Sequence, residues 1–573
     1  MKRFATVVLA LMLALACVPV LAEKADREIE GNLAVLTTAG DFAAGKLENV
    51  VADETVGNGA IVLKEGESEG TYTSEVLGTA PFEYMVASWS ADTPKGTWIE
   101  VSARAYVDMK KGWTEWLSWG KWSDSVKRGS VSEECDLAYI STDEFIISGK
   151  DGETASKIQL KVTLHANNEG VSPAVRQLGA TYKNTLEGQY ITPVYYGEAV
   201  ELPEKVLLDT PAYSQMVREQ SIAGSMCSAT TICTLLNDRG ENTLPEEIAL
   251  INYDSDYDGF GNWAFSVAAA GSYGYEAFVQ YADLDILRQE LAHGYSVGIS
   301  VRYSSGTNGQ YPYLENGAAG NTAGHLITIT GYETIDGVDY FYSSDSAAGS
   351  DAGCLRRYRA DQLDEAWGGK VAYIIHDKEE NISACNPNRI ECELVAAGEN
   401  EYTLMANGEA VKIGKNFTAA KWKSDGCGII AYYLEGKDAN EAPMPENVKT
   451  SDANHTFRYT VKGSDNGNLA IKPSALMGGM KQPATMHLFI MTNSGTTYTA
   501  SLELVPEVSE TPAPEPTAEP EPTQAPAETE LPDTTAQPAA EPANGLSTGA
   551  IIGIIAAAAA AAAIIIVVVK KKK

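Results

Sequence analysis

The chain has 573 residues, which is too long for a single hydrophobic core, so several folded domains are expected. Its formal net charge of -34 argues against nucleic acid as a partner, because a polyanion would be repelled before a specific contact could form. The sequence contains no Cys-x-x-Cys pair, His-Glu-x-x-His motif or calcium-loop pattern, so neither a metal nor any other cofactor is predicted.

Residues 1–22 have the pattern of an export signal. Lys2 and Arg3 form a charged start, an apolar stretch follows, and the small residues that end at Ala22 are typical of a cleavage site. We therefore predict a signal peptide over this segment and expect the remainder of the chain to be exported.

Residues 30–188 are predicted to form a β-sandwich domain. Segments such as 98–103 and 158–164 alternate between apolar and polar residues, and turn signals separate them. No helical stripe interrupts this pattern, which favours an antiparallel sandwich.

Four tryptophans in this segment recur at every third position: Trp113, Trp116, Trp119 and Trp122. One interpretation is a surface on which sugar rings stack. The other is that alternate rings pack between the sheets and brace an edge, because aromatic side chains supply much of the area of a core. The sequence leaves both interpretations open.

Residues 200–380 are predicted to form an α+β domain. Small and apolar residues after Cys227 fall on one helical face, and a second helical stripe surrounds Leu287. Alternation typical of strands follows at residues 297–301, 326–330 and 340–343. Helices followed by a sheet favour an α+β arrangement with a cleft where the two meet.

Cys227 is the candidate nucleophile. Of eight cysteines, Cys17 lies in the predicted signal, so an odd number remains and at least one exported thiol would be unpaired. Cys227 begins a helix, and the partial positive charge at a helix N-terminus favours the thiolate that a cysteine nucleophile requires. Taken alone, however, Cys227 is more typical of a small buried core residue.

His325 is the candidate base among six histidines. The others lie in the predicted β domains, after the sheet or at a helix end: His165, His293, His376, His455 and His487. His325 enters a strand after a glycine-rich approach, and Asp345 ends the next strand, where an antiparallel neighbour would bring it beside the imidazole as its orienting acceptor. An aspartate at a strand end is equally consistent with a turn residue.

Five separated segments resemble successive motifs of the C39-like peptidase family in order and spacing: residues 211–216, 227–231, 261–265, 324–326 and 344–348. The resemblance implies a papain-like α+β fold with a triad of Cys227, His325 and Asp345. It further implies that the side-chain amide of Gln215 helps to bind the oxyanion, with Gln220 as the alternative for that role. The first β segment, through residues 82–92 and 96–101, resembles the domain that often precedes this peptidase in bacterial surface proteins.

The C-terminal part begins with a second predicted β-sandwich domain, residues 385–506, in which Asn407-Gly408 indicates a two-residue hairpin. A linker rich in Pro, Glu and Thr follows over residues 507–545 and is too polar to bury a core. Residues 546–569 are apolar enough for a transmembrane helix, and the lysines at 570–573 are expected to stay in the cytoplasm.

Together these patterns predict a single-pass cell-surface protein with an extracellular N-terminal ectodomain. The predicted fold is multi-domain, with an α+β peptidase-like domain between two β-sandwich domains. The expected function is a cysteine peptidase that hydrolyses peptide bonds through a thioester intermediate, acting on a peptide or protein substrate. Two alternatives remain: a surface adhesin whose β domains bind a glycan or protein beside a non-catalytic peptidase-like domain, and an amidase or acyl transferase acting on cell-wall peptides.

Overall fold

The structure is a computed structural model that describes residues 26–505 except 126–127, 149–151, 219–221, 380–381, 383–387, 413–417, 424–427, 435–459, 464–465, 474–483 and 492–496. The predicted signal peptide, linker, transmembrane helix and lysine tail all lie outside the described residues. Within the described ranges, no helix is long and apolar enough to cross a bilayer.

The first β segment consists of short strands and one short helix. Its strands are β1 Arg27–Glu28, β2 Leu33–Leu36, β3 Lys46–Glu48, β4 Val50–Asp53, β5 Ala60–Leu63, β6 Glu69–Thr73, β7 Leu77–Phe82, β8 Tyr84–Asp92, β9 Trp98–Val107, β10 Gly112–Trp113, β11 Leu117–Trp122, β12 Ala138–Ser141, β13 Glu144–Ile147, β14 Ala155–His165 and β15 Ala174–Lys183. Helix α1 spans Ala39–Ala43, and the Thr38 hydroxyl accepts a hydrogen bond from the Asp41 N–H at its start.

These strands form two sheets that share one buried core. The eight-stranded sheet follows the order β1-β7-β14-β6-β3, with β9 on β14 and with β10 and β11 on β9. The seven-stranded sheet follows β12-β13-β8-β15-β5-β4, with β2 on β15. Strict alternation along β14, where Leu160 and Val162 are fully buried and Lys161 is half-buried, gives the eight-stranded sheet an inner and an outer face. The two sheets agree with the predicted sandwich.

The four tryptophans differ in their burial, which bears on whether they pack in the core or form a surface for sugar rings. Trp119 and Trp122 are fully buried between the sheets, whereas Trp113 and Trp116 are half-buried on the outer side. The inner pair therefore serves packing, and the outer pair remains available for another role.

The middle segment begins with a short strand, three helices follow, and most of its sheet comes after them. Its helices are α2 Cys227–Asp238, α3 Pro245–Asn252, α4 Trp263–Gly271, α5 Leu284–Ala292 and α6 Ala360–Ala366. Its strands are β16 Lys205–Leu207, β17 Tyr275–Tyr281, β18 Val297–Ser304, β19 Asn321–Ile335, β20 Val338–Ser344, β21 Leu355–Arg359 and β22 Val371–Lys378.

The sheet of the middle segment is antiparallel, in the order β17-β22-β18-β19-β20-β21, with β16 on β19. Helix α2 lies directly against β18, because a Cβ at Gly298 would meet the Thr231 methyl carbon at 2.6 Å. Only glycine permits this approach, and the N-terminus of α2 lies close to the interior strand β19, whose Leu326 N–H is near the Cys227 sulfur. The predicted α+β arrangement is thus observed.

The first β segment and the middle segment share a continuous core. The rings of Trp89 and Trp122 meet Phe265 of α4 at centroid distances of 6.0 Å and 5.3 Å. The buried guanidinium of Arg176 pairs with Asp92 of its own segment and with Glu379 beyond β22. Apolar contact and a buried ion pair therefore join the two segments.

The C-terminal segment is a single sheet. Its strands are β23 Arg389–Gly398, β24 Glu401–Ala406, β25 Glu409–Val411, β26 Thr418–Lys423, β27 Gly428–Leu434, β28 Thr460–Gly463, β29 Leu469–Ala470, β30 Ala484–Met491 and β31 Thr497–Leu504. The hairpin at Asn407-Gly408 is confirmed: both residues have positive φ, 50° and 82°, between paired strands β24 and β25.

The predicted sandwich is wrong for this C-terminal segment. The strand order is β23-β31-β30-β27-β26-β28-β29-β24-β25, and β23 also pairs with β24, so one sheet closes on itself. Alternating residues indicate that each strand has one buried face, but they do not reveal whether the strands divide into two sheets.

Candidate active site

Cys227 is the first residue of α2, as the sequence predicts. The backbone N–H groups of Ser228 and Leu326 donate hydrogen bonds to its sulfur, and its thiol is hydrogen-bonded to His325. Burial alone would raise the pKa of the Cys227 thiol, but the hydrogen bond and the charge of His325 outweigh it and lower this pKa. The side chain is partly exposed, so it is not the sealed core cysteine that Cys227 alone would suggest.

His325 lies on β19, opposite Val301 of β18. Its Nε2 atom is 2.8 Å from Oδ1 of Asp345, which leaves Nδ1 to face the thiol. Burial alone would lower the pKa of His325, but the charge and hydrogen bond of Asp345 raise it to about 10. The imidazole is therefore held in its protonated form beside a thiol of lowered pKa.

Asp345 follows the last residue of β20, which pairs with β19 in antiparallel register. Its carboxylate is fully buried, and its Oδ2 accepts hydrogen bonds from the hydroxyls of Tyr303 and Tyr358 at 2.7 Å and 2.8 Å. Burial alone would raise the pKa of Asp345, yet the charge of His325 and these bonds hold it well below its usual range. These contacts favour the role of Asp345 as the acceptor that orients His325 over that of a simple turn residue.

Sequence reasoning missed both tyrosines. Tyr303 lies two residues beyond the predicted strand 297–301, on the face that also carries Val301. If the predicted strand had been two residues longer, it would have included Tyr303 and placed it next to the strand that carries His325. Tyr358 lies on β21, a strand that the sequence did not reveal.

Gln215 begins a short 3-10 helix, Gln215–Val217, and its side chain is buried. Its Nε2 donates a hydrogen bond to the Ala223 carbonyl oxygen at 2.6 Å, and its Oε1 accepts one from the Ser346 hydroxyl at 2.7 Å. One of the two amide hydrogens is thereby engaged, and the second remains for another acceptor. The rival Gln220 lies outside the described residues.

The first β segment contacts one of the five predicted motifs. Trp263 starts α4 within one of the predicted motifs, and its backbone N–H donates to the carboxylate of Asp143 at 2.9 Å. Asp143 lies between β12 and β13, and burial raises the pKa of its carboxyl to about 8. Nothing in the sequence linked Asp143 to a motif more than a hundred residues away.

Two other histidines of the middle segment are engaged elsewhere. His293 follows the last residue of α5, and its Nδ1 is 2.8 Å from the Gln289 carbonyl oxygen, so the imidazole caps the end of this helix. The Nε2 of His376 lies 3.1 Å from the carboxylate of Glu290. Neither imidazole competes with His325 for Cys227.

Solved structures that resemble this chain include two cathepsin precursors. Digestive procathepsin L 3 of Tenebrio molitor is 17% identical over 32% of this chain and 73% of its own, with a TM-score of 0.24. Procathepsin B S9 of Trypanosoma congolense is 13% identical over 33% of this chain and 82% of its own, with a TM-score of 0.23. No curated protein matches the chain.

Two family models match the two segments whose cores are joined. The model described as Peptidase C39 N-terminal domain matches residues 32–182, and the model described as Peptidase_C39 like family matches residues 207–373. The second range contains Cys227, His325 and Asp345 in the geometry given above. Both matches support a C39-like cysteine peptidase family for these two segments of the chain.

Proposed function

We propose that the chain is a cysteine peptidase that hydrolyses amide bonds with Cys227 as nucleophile, His325 as acid and base, and Asp345 as the residue that orients the imidazole. The observation that carries this proposal is one continuous set of contacts: the Cys227 thiol on His325, and His325 on the buried carboxylate of Asp345 at 2.8 Å. A nucleophile, a base and an orienting group within hydrogen-bond reach are the parts that such catalysis needs.

In the proposed mechanism the Cys227 thiolate attacks the carbonyl carbon of the substrate. The resulting oxyanion accepts hydrogen bonds from the Cys227 backbone N–H and from the second amide hydrogen of Gln215. The Cys227 N–H is suited to this role because the first N–H groups of a helix have no carbonyl acceptor within the helix. His325 gives its proton to the leaving amine, which leaves a thioester. A water molecule then attacks the thioester, gives a proton to His325 and releases the acid, and the thiolate is restored.

Alkylation tests whether the Cys227 thiol is reactive. A peptidase needs a reactive thiol at this position, whereas a non-catalytic adhesin does not. Treating the full chain with iodoacetamide near pH 7 is expected to modify Cys227 at least ~100-fold faster than Cys233 or Cys354, because thiolates react and thiols do not. Burial raises the pKa of both comparison thiols to about 12. Peptide mapping by mass spectrometry gives the three rates. Equal rates at all three positions would contradict the proposal.

Replacing Gln215 with alanine tests the oxyanion role. The expected result is a decrease in kcat of about 10²–10³, with KM little changed, because a donor that acts on the tetrahedral intermediate contributes little to ground-state binding. Ser346→Ala is the matched control: it leaves the amide in place and removes only the hydroxyl bonded to Oε1, so its effect on kcat should be smaller. An unchanged kcat in Gln215→Ala would exclude Gln215 from this role.

We also propose display at the cell surface, on the basis of the sequence at the two ends. The export pattern of residues 1–22 and the apolar run at 546–569 before the lysines support a tethered, outward-facing ectodomain. Protease treatment of intact cells is the test. It should remove the ectodomain and leave a membrane-bound C-terminal fragment, and full protection of the chain would contradict this location.

A further inference from the structure

The outer face of the eight-stranded sheet contains a cavity of about 470 Å³. Side chains that point outward from β3, β6, β14 and β9 form its floor and sides, and the indole of Trp116 forms one wall. The middle segment packs on the other sheet, since β17 bonds to Ser88, Gln177 and Thr181 of β8 and β15. The cavity therefore faces away from Cys227.

Two cations in the cavity, Arg104 and Lys161, form no direct ion pair within the described ranges, although the charges of Glu100 and Glu133 act on Lys161 from further away. Arg104 donates two hydrogen bonds to Oε1 of Gln159, a neutral acceptor, and its guanidinium lies 4.8 Å from the centroid of Trp116. The ammonium of Lys161 lies 4.7 Å from the same centroid. Burial lowers the pKa of both groups, and for Lys161 the charges of Glu100 and Glu133 offset this effect only in part, so both cations have lost some of their hydration.

The remaining lining is polar. Thr73 and Thr163 present hydroxyls, and Lys46 already pairs with Glu48 at 2.9 Å. The cavity contains no aliphatic side chain that could take an apolar residue of a peptide. Its interior strands β6, β14 and β9 are paired on both sides, so a peptide cannot add to their backbones. These features disfavour a peptide.

We propose that this cavity binds a short oligosaccharide that carries carboxylates, such as a chain of uronic acid units. The two cations without a direct ion pair fit the carboxylates, the threonine hydroxyls fit sugar hydroxyls, and the indole provides an apolar wall. The volume is within the range of small-ligand sites. The net charge of the whole chain repels long polyanions, which limits the ligand to a short one.

The test uses the full chain and three probes in calorimetric titrations: tetragalacturonate, a neutral galactotetraose and hexaglutamate. Saturable binding of tetragalacturonate alone, weakened by added NaCl, is the expected result. Equal binding of the neutral sugar, or no binding of any probe, would overturn the proposal. Tighter binding of hexaglutamate would replace the acidic sugar with an acidic peptide.

The variants locate the site. Arg104→Gln and Lys161→Gln are each expected to weaken tetragalacturonate binding about tenfold or more, because each removes a charge-assisted hydrogen bond. Lys64→Gln, at an exposed lysine outside the cavity, is the matched control and should bind as the parent does. Unchanged thermal melting of the three variants shows that they fold. Parental affinity in both cavity variants would place the binding elsewhere and refute the assignment.

Discussion

Replacing Cys227 with alanine is expected to lower kcat for peptide hydrolysis by roughly 10⁶-fold, because loss of the nucleophile removes the step on which the rest of the machinery acts. The remaining rate would come from binding and oxyanion contacts alone. The decrease should appear in kcat, while substrate affinity stays near the parental value. A fluorogenic peptide assay on the full chain and the variant measures both.

The control for this variant is Cys135→Ala, which removes a half-buried thiol of the first β segment. It should retain parental activity. If Cys227→Ala hydrolysed the same peptides at a rate within tenfold of the parent, another group would be the nucleophile and the proposed mechanism would be wrong.

Replacing Asp345 with alanine is expected to affect both stability and activity. Its carboxylate is the buried acceptor for His325, Tyr303, Tyr358 and the backbone N–H groups of Ala318 and Ala347, so truncation removes the acceptor of five donors. Removing one partner of a buried ion pair lowers the free energy of unfolding by about 3–5 kcal/mol. The imidazole also loses its orientation, and we expect kcat to decrease by roughly 10³–10⁴ in the variant that remains folded.

Asp345→Asn separates charge from orientation. The amide oxygen can still accept the hydrogen bond from Nε2, so this variant should keep more stability than Asp345→Ala, although kcat should still fall by roughly 10⁴ because the imidazolium loses its counter-charge. Without the carboxylate charge, however, the pKa of His325 should fall from about 10, and the alkaline limit of the pH–rate profile should move to lower pH. Identical profiles for parent and Asn variant would show that Asp345 does not set the charge of the imidazole.

The ion pair of His325 and Asp345 should stabilise the fold only within a limited pH range. The pKa of His325 is raised above its unfolded value near 6.5, so its contribution is fully present below about pH 6.5 and is lost as the pH rises through about 10. The pKa of Asp345 is lowered, so its contribution is present above about pH 4 and is lost on acidification below that. The difference in Tm between parent and Asp345→Asn should therefore be largest between about pH 4 and 6.5.

Much of the site could be predicted from the sequence, because its three central residues lie in regular elements with clear local signals. Cys227 starts a helix with a buried apolar face, His325 lies on β19, and Asp345 directly follows β20, which a tight turn joins to β19. Local periodicity and short connections are sufficient to bring such residues together.

Contacts between distant segments could not be predicted. Asp143 meets Trp263, and Tyr358 meets Asp345 through the edge strand β21, and neither contact leaves a pattern in the residues near it. The closure of the C-terminal sheet depends on the pairing of β23 with both β24 and β31. The strands β23 and β24 are neighbours in the sequence, whereas β23 and β31 lie at opposite ends of the segment. Alternation within single strands does not reveal the distant pairing, so it could not distinguish a closed sheet from a sandwich.

The core shared by the first β segment and the catalytic segment restricts how this protein can evolve. A gene rearrangement that gave the catalytic segment a different neighbour would uncover Phe265 and deprive Glu379 of the Arg176 guanidinium. The bare surface would favour aggregation before any substrate was met. The two segments are therefore expected to be inherited together, and the ion pair between Arg389 of the C-terminal sheet and Glu247 extends the same constraint to that sheet.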